Sequence, residues 1–361
     1  METFRVVPSV DENNAPIFSV LVKRSYRICA GAPLQRLRTA RPLRELDEYW
    51  EDGDPSWSTV KFESDLAPYK LATDVVFVGK AHAPDQQPTP QMDVAIQVGK
   101  YRKSLRVIGD RRCIFRPGQS PQFSEPQPFR EMEIRYDLAY GGCDGKSLPG
   151  LEFHYPRNSM GRGFAISNTR EVVDDLALPN LEDPSDLLTP ERLILGEPQR
   201  WNQQPMPQGF GWYQKTWYPR CSFVGAMPGF VDVDEVMREE LLNWVPKRQI
   251  ALSRQFKLPS FSVRFNNGAS WGLILPFLDG NEPVTLSGLT PSGELSFQLP
   301  GEIPRVALDI GQGQQELQPF LHTLCIRAAE GEVDLIWRGS LAYPGIDWLP
   351  QMTRLHAEVS A

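Results

Sequence analysis

The feature that most constrains this chain is a two-residue apolar period, broken at short intervals by proline and glycine. It is clearest between Phe62 and Arg112. There Val94, Ile96 and Val98 alternate with polar neighbours, Gly99-Lys100 offers a turn, and Leu105 and Val107 resume the alternation. Successive strand side chains point to opposite faces, so such a run buries one face and wets the other. A two-residue turn containing glycine closes it into a hairpin. Asp74-Val75-Val76-Phe77-Val78-Gly79 is a continuous apolar run of strand length. The 361 residues include 33 prolines and 28 glycines, with no low-complexity period. Both residues interrupt helices, so many short strands joined by ordered loops are expected.

The same period recurs along the chain. Ile17 to Ile28 predicts a long first strand through Phe18, Val20 and Val22. Met132, Ile134, Tyr136, Leu138 and Tyr140 alternate with charged residues and predict another. Phe261, Val263 and Phe265 predict a strand before the Asn266-Asn267-Gly268 turn, and Trp271 to Leu275 one after it. Leu295 to Leu299 and Val306 to Ile310 follow. Near the end, His322, Leu324 and Ile326 face Val333, Leu335 and Trp337 across a turn. Arg41 to Trp50 is ambiguous and admits a short helix. One amphipathic helix is expected, with Val233, Met237, Leu241 and Trp244 on one face and Pro246 ending it. Between Cys143 and Gly229 the period is lost while prolines and aromatics crowd together, and the rings argue against disorder. The expected fold is mainly β: an antiparallel sandwich or partly closed barrel, with a long proline-rich irregular insertion and one short helix. Residues 1–361 read as a single unit, with sub-lobes at 1–142, 143–230 and 231–361. Whether the two β regions share one sheet system or form two lobes is open at this point.

A net charge of −7 argues against general nucleic-acid binding, which needs a basic surface. Five scattered cysteines, Cys29, Cys113, Cys143, Cys221 and Cys325, suit a reducing compartment. The first residues lack an apolar signal core and no run reaches membrane-spanning length. A soluble, cytoplasmic protein without membrane contact is expected.

Several short patterns invite a catalytic reading. Gly268-Ala269-Ser270-Trp271-Gly272 matches G-x-S-x-G, and His322 and His356 lie downstream. A nucleophile elbow needs strand, sharp turn and helix, whereas strand-like Trp271 to Leu275 follows here. Gly141-Gly142-Cys143-Asp144-Gly145-Lys146-Ser147 lacks the first glycine and the helix of a phosphate loop. No metal is expected, because no cysteine pair has ligand spacing, and His82 and His154 with nearby Asp85 and Glu152 read as hydrogen-bonded loop residues. No cofactor is expected either. Glu63 and Asp65 are paired carboxylates beside Tyr69, Lys70 and Asp74. Acids so placed do acid/base work when buried together, and more commonly fix irregular backbone through amides and basic side chains.

A wider pattern carries a resemblance. Its parts are Phe18-Ser19-Val20-Leu21-Val22-Lys23-Arg24-Ser25-Tyr26, Glu63-Ser64-Asp65-Leu66-Ala67-Pro68-Tyr69-Lys70, Thr73-Asp74-Val75, Gly79 and Ala81-His82-Ala83-Pro84. Leu105-Arg106-Val107, Gly109-Asp110-Arg111, Arg135-Tyr136, Ala139-Tyr140-Gly141-Gly142, Pro156 to Phe164 and Trp337-Arg338 complete it. Together these resemble a bacterial domain family of long-unassigned function that is associated with type VI secretion and is sometimes fused to pentapeptide repeats. The resemblance spans about Phe18 to Arg338. It implies an adaptor or chaperone, not an enzyme, that holds a toxin effector in the cytoplasm. The adaptor would hand its cargo to the valine-glycine-repeat spike protein, sometimes with a tip protein. It implies no catalytic residue. On this expectation Glu63, Asp65, Tyr69, Lys70, Asp74, His82, Arg157 and Arg162 form the partner surface or organise its loops, and Trp201, Trp212 and Trp217 are candidate aromatic anchors. Two competing expectations are a serine hydrolase using Ser270 and a carbohydrate-binding β-module. The latter requires exposed, coplanar tryptophans.

Overall fold

The computed structural model describes residues 3–51, 57–224, 262–343 and 355–360. Its centre is a seven-stranded sheet that runs in the order Thr3–Val10, Pro16–Arg27, Glu332–Ala342, Phe320–Arg327, Thr73–Val78 and Ile274–Leu275, with Gln35–Arg36 added beside Pro16–Arg27. Strands from both ends of the chain thus interleave in one sheet. Neighbours are antiparallel except Thr73–Val78, which lies parallel to Phe320–Arg327. A parallel neighbour cannot be joined by a tight turn, and here the connection spans more than half of the chain.

A second, five-stranded antiparallel sheet has the order Leu181–Glu182, Tyr101–Ile108, Gln91–Val98, Pro283–Ser287 and Glu294–Gln298. One apolar cluster joins Val20, Val22, Phe77, Leu324 and Leu335 of the first sheet to Val94, Ile96, Leu105, Leu286 and Phe297 of the second. The sheets therefore share one interior. The architecture is mainly β in several sheets, and no barrel closes among the described residues.

Pro16–Arg27 explains the shape of the centre. All its residues from Ile17 to Tyr26 are buried, so both faces of the strand are covered. Phe18, Val20, Val22 and Tyr26 point into the shared core. On the other face, Ser19 meets the Ser340 hydroxyl, while Lys23 and Ser25 meet Pro42, Asp65 and Arg41 of the 41–74 loops.

The expected long strands near both termini and the 91–108 hairpin are present. Others break. Glu131 to Tyr140 breaks into a short ladder at Glu131–Glu133, a 3-10 turn at Tyr136–Leu138, and Tyr140–Gly141 paired in parallel with Arg162–Gly163. The carbonyl of Tyr136 accepts from the Asn158 side chain at 2.8 Å, so it is satisfied without a strand partner. Val263–Asn266 is also a 3-10 turn, capped by the Ser262 hydroxyl. Trp271 to Leu275 contracts to Ile274–Leu275, and Arg41 to Trp50 is loop ending in a two-residue strand, Glu48–Tyr49. The expected helix through Val233 and Trp244 lies outside the described residues. Arg170–Val173 is the α-helical turn among the described residues.

The irregular insertion has a core of its own. Tyr140, Tyr155, Phe164, Val173, Leu193, Trp201 and Tyr218 cluster together. Edge-to-face contacts run from Tyr140 to Tyr155 to Trp201 to Tyr218, with centroids 5.1, 6.2 and 5.6 Å apart. This geometry aligns positive ring edges with negative faces.

Candidate functional site

The charged stretch 63–74 folds inward. Glu63, Asp65, Lys70 and Asp74 are all buried, Asp74 completely. They form three separate networks instead of one cleft.

Asp74 opens the parallel pairing of the Thr73–Val78 strand and clamps the turn that carries the G-x-S-x-G pattern. Its Oδ2 accepts from Lys70 Nζ at 2.7 Å and from the Gly268 amide at 3.1 Å. Its Oδ1 accepts from the Asn267 side chain at 3.1 Å and the Ala269 amide at 3.3 Å. Lys70 Nζ also donates to Thr323 Oγ1 at 2.9 Å and lies 5.0 Å from the centre of the Trp212 ring. The Lys70 amide donates to His322 Nε2 at 2.9 Å. That nitrogen must be unprotonated. Burial first, then the charges of Arg338 and Lys70, hold the His322 pKa well below its ordinary value of 6.5.

Glu63 pairs with Arg220 through both guanidinium nitrogens, one bond being 2.9 Å. Arg220 also donates to the carbonyls of Tyr213 and Phe265, at 2.5 and 2.9 Å. The fork leaves no room opposite: a Cβ on Gly268 would stand 2.5 Å from Arg220 Nη1.

Asp65 accepts from Lys23 Nζ at 2.6 Å and from the Arg44 amide at 2.8 Å. Lys23 Nζ lies 3.6 Å from Asp334, which Ser25 bonds at 2.6 Å and Arg327 Nε approaches at 3.2 Å. Cys325 sits among these charges, and burial, reinforced by Asp334, pushes its thiol up to about 12. It is an inert thiol.

The remaining expected residues are scattered. Arg157 is buried in the insertion, donates to the carbonyls of Asn202 and Gln204 at 3.0 and 3.3 Å, and stacks on Trp201 at 5.2 Å. Arg162 bonds the Asn180 side chain at 2.9 Å. His82 stands 3.5 Å from Glu131 on the neighbouring strand. Tyr69 is partly exposed, with the Arg338 guanidinium 4.0 Å above its ring.

Trp201, Trp212 and Trp217 are interior residues, 1%, 4% and 2% exposed. They cannot present a flat face to a sugar or anchor a partner from these positions. Ser270 is likewise inaccessible at 0% exposure. Its hydroxyl donates to the Gly211 carbonyl at 3.0 Å and meets Tyr136 Oη at 2.7 Å, while no histidine is among its bonded partners. Its proton is committed to backbone, so the elbow pattern is a structural turn.

Two features were missed. Trp57 is 71% exposed. Earlier in the chain, the Trp50 ring is flanked by Lys61 Nζ at 5.0 Å and Arg135 Cζ at 5.3 Å. Cys143 stands directly opposite His154 in a short antiparallel pair. Their separation in sequence has no ligand-motif meaning, so only the strand register reveals it.

Residues 13–338 match the model of a family described as "Uncharacterized protein conserved in bacteria (DUF2169)". The chain belongs to that family. Neither the curated proteins nor the solved structures gave a match to this chain. The DUF2169 match takes in the five-stranded sheet, the insertion, all three charge networks and the seven-stranded sheet apart from Thr3–Val10 and the end of Glu332–Ala342. No helix among the described residues is long and apolar enough to cross a membrane.

Proposed function

We propose that this DUF2169 protein is a non-catalytic adaptor. It holds a secreted toxin effector in the cytoplasm and passes it to the valine-glycine-repeat spike of a type VI secretion system, with or without a tip protein. The observation that carries the reading is the ordered set of motifs from Phe18 to Arg338 and its resemblance to adaptors of that kind. Geometry supports it in two ways. The charged residues nearest to a catalytic pattern are consumed in internal pairs that stiffen loops. Trp57 offers an exposed ring, at 71% exposure, and cationic groups lie over the ring of Trp50 earlier in the chain. An aromatic anchor with a polar rim suits a partner that must be gripped and later released.

Co-purification from the native bacterium tests the reading. Tagged protein should bring down an effector and a spike subunit, and deleting the gene should lower the effector's cellular level. Trp57→Ala should weaken effector capture at least about tenfold, a hot-spot loss of at least ~1.4 kcal/mol, without altering the melting temperature. Unchanged effector abundance in the deletion strain would sink the proposal.

A further inference from the structure

Cys143, Glu152 and His154 are exposed, and their ligand-type atoms all lie within 4.8 Å of one another. Cys143 Sγ is 3.8 Å from His154 Nε2, and Glu152 Oε2 is 3.6 Å from the same nitrogen. We propose that these three side chains bind a borderline divalent cation of the Zn²⁺ class.

The distances fit such an ion. Bonds of about 2.0–2.3 Å to sulfur, nitrogen and oxygen set tetrahedral ligand atoms roughly 3.3–3.7 Å apart. Two edges of the triangle are already within a few tenths of an ångström of that range. A side-chain rotation of Glu152 closes the third. Thiolate with imidazole favours Zn²⁺-like ions over Mg²⁺ or Ca²⁺, which prefer oxygen alone. Water would fill the fourth position.

The frame is fixed before any ion arrives. Cys143 and His154 are register partners, and the Tyr155 amide closes the ladder onto the Gly142 carbonyl at 2.9 Å. Asp144, the next residue, ties down the connecting turn. It accepts from the amides of Lys146, Ser147 and Ile166 at 2.9, 3.0 and 2.9 Å. Asp144 is therefore spent on backbone, while its three neighbours converge on open solvent.

A cysteine nucleophile activated by histidine is the competing reading. That relay needs the carboxylate on the far ring nitrogen, orienting the base. Here sulfur and carboxylate face the same nitrogen, which is chelation geometry.

The test uses reduced, metal-free full-length protein and Co²⁺ as a spectroscopic probe. One equivalent should produce a thiolate-to-cobalt charge-transfer band that one equivalent of Zn²⁺ removes. Cys143→Ser should abolish the band, whereas Cys29→Ser should leave it. His154→Ala should weaken Zn²⁺ binding at least about tenfold, comparable to losses from disturbing a metal's supporting shell. Cys143 and His154 are exposed and Cys29 is half-buried, and circular dichroism should show the variants folded. No band at equimolar cobalt, a band that survives Cys143→Ser, or equal Zn²⁺ affinity in His154→Ala overturns the proposal.

Discussion

Lys70 and Asp74 concentrate the chemistry of the 63–74 stretch in one buried pair, 2.7 Å apart. Removing one member of such a pair leaves the other charged and desolvated, which typically costs about 3–5 kcal/mol. Lys70→Met should lower stability by about that much, measured as a shift in the urea midpoint at unchanged slope. Asp74→Asn added to the same chain should recover part of the loss, because the stranded charge is gone. A residue held for partner contact alone would behave differently, losing effector binding at constant stability. His322 adds a pH signature. Its imidazole is neutral in the folded protein, whereas the unfolded chain takes up a proton below the ordinary value of 6.5. More protons are then bound unfolded than folded, so stability falls as pH drops through that value, by up to about 1.4 kcal/mol per pH unit. Above it the group contributes no slope. His322→Gln should flatten the urea midpoint between pH 6.5 and 5, and an unaltered slope would place the titration elsewhere.

Elements were legible where the apolar run or period is unbroken and the backbone pairs only with backbone. The 91–108 hairpin is of this kind. Gln91 pairs with Ile108 and Val98 with Tyr101 across the turn, so the period of two survives intact. It failed where side chains substitute for ladder partners. Tyr136 is buried as its alternation implies, yet Asn158 and a 3-10 turn satisfy its neighbourhood. His322 shows a second failure. The ladder shifts register between Leu321 and Thr323, so His322 leaves the apolar face it shares in sequence with Leu324 and Ile326. A bulge has no local apolar signature. The glycine pair after Tyr140 is a clearer backbone signal. Gly141 has a φ of +144°, and a Cβ there would stand 2.1 Å from the Asn158 carbonyl oxygen. Gly141→Ala should therefore cost about 3 kcal/mol or more, the upper end for overpacking. Gly150, with φ +79° and nothing within 4 Å, separates strain from clash. Gly150→Ala should cost only about 1–2 kcal/mol. Thermal melts of the two variants give the comparison directly.

At the scale of the molecule, chain order and spatial order diverge most. Pro16–Arg27 pairs along its whole length with Glu332–Ala342, and the Thr73–Val78 strand is flanked by Phe320–Arg327 and Ile274–Leu275. Apolar patterning marked each strand, but a periodic strand carries no label naming its partner. That is why the choice between one sheet system and two lobes could not be made from pattern alone. The charged loops show the same limit. Glu63, Asp65, Lys70 and Asp74 were conspicuous in sequence, while Arg220, Lys23 and Asn267, which complete their networks, come from distant segments. The interleaving has a physical consequence. No cut between the termini leaves either half with a complete central sheet, and an unpaired apolar strand has no independent stability. A fragment of residues 1–142 should therefore be unfolded or aggregated when expressed alone, as read by circular dichroism and size-exclusion chromatography. The whole chain should lose far-ultraviolet dichroism and tryptophan fluorescence in one coincident transition, because interior Trp212, Trp217 and Trp337 report on the same core that the sheets build. Two separated transitions, or a folded 1–142 fragment, would show that the N-terminal strands have a core of their own, and that the charge networks join independent units instead of bracing one.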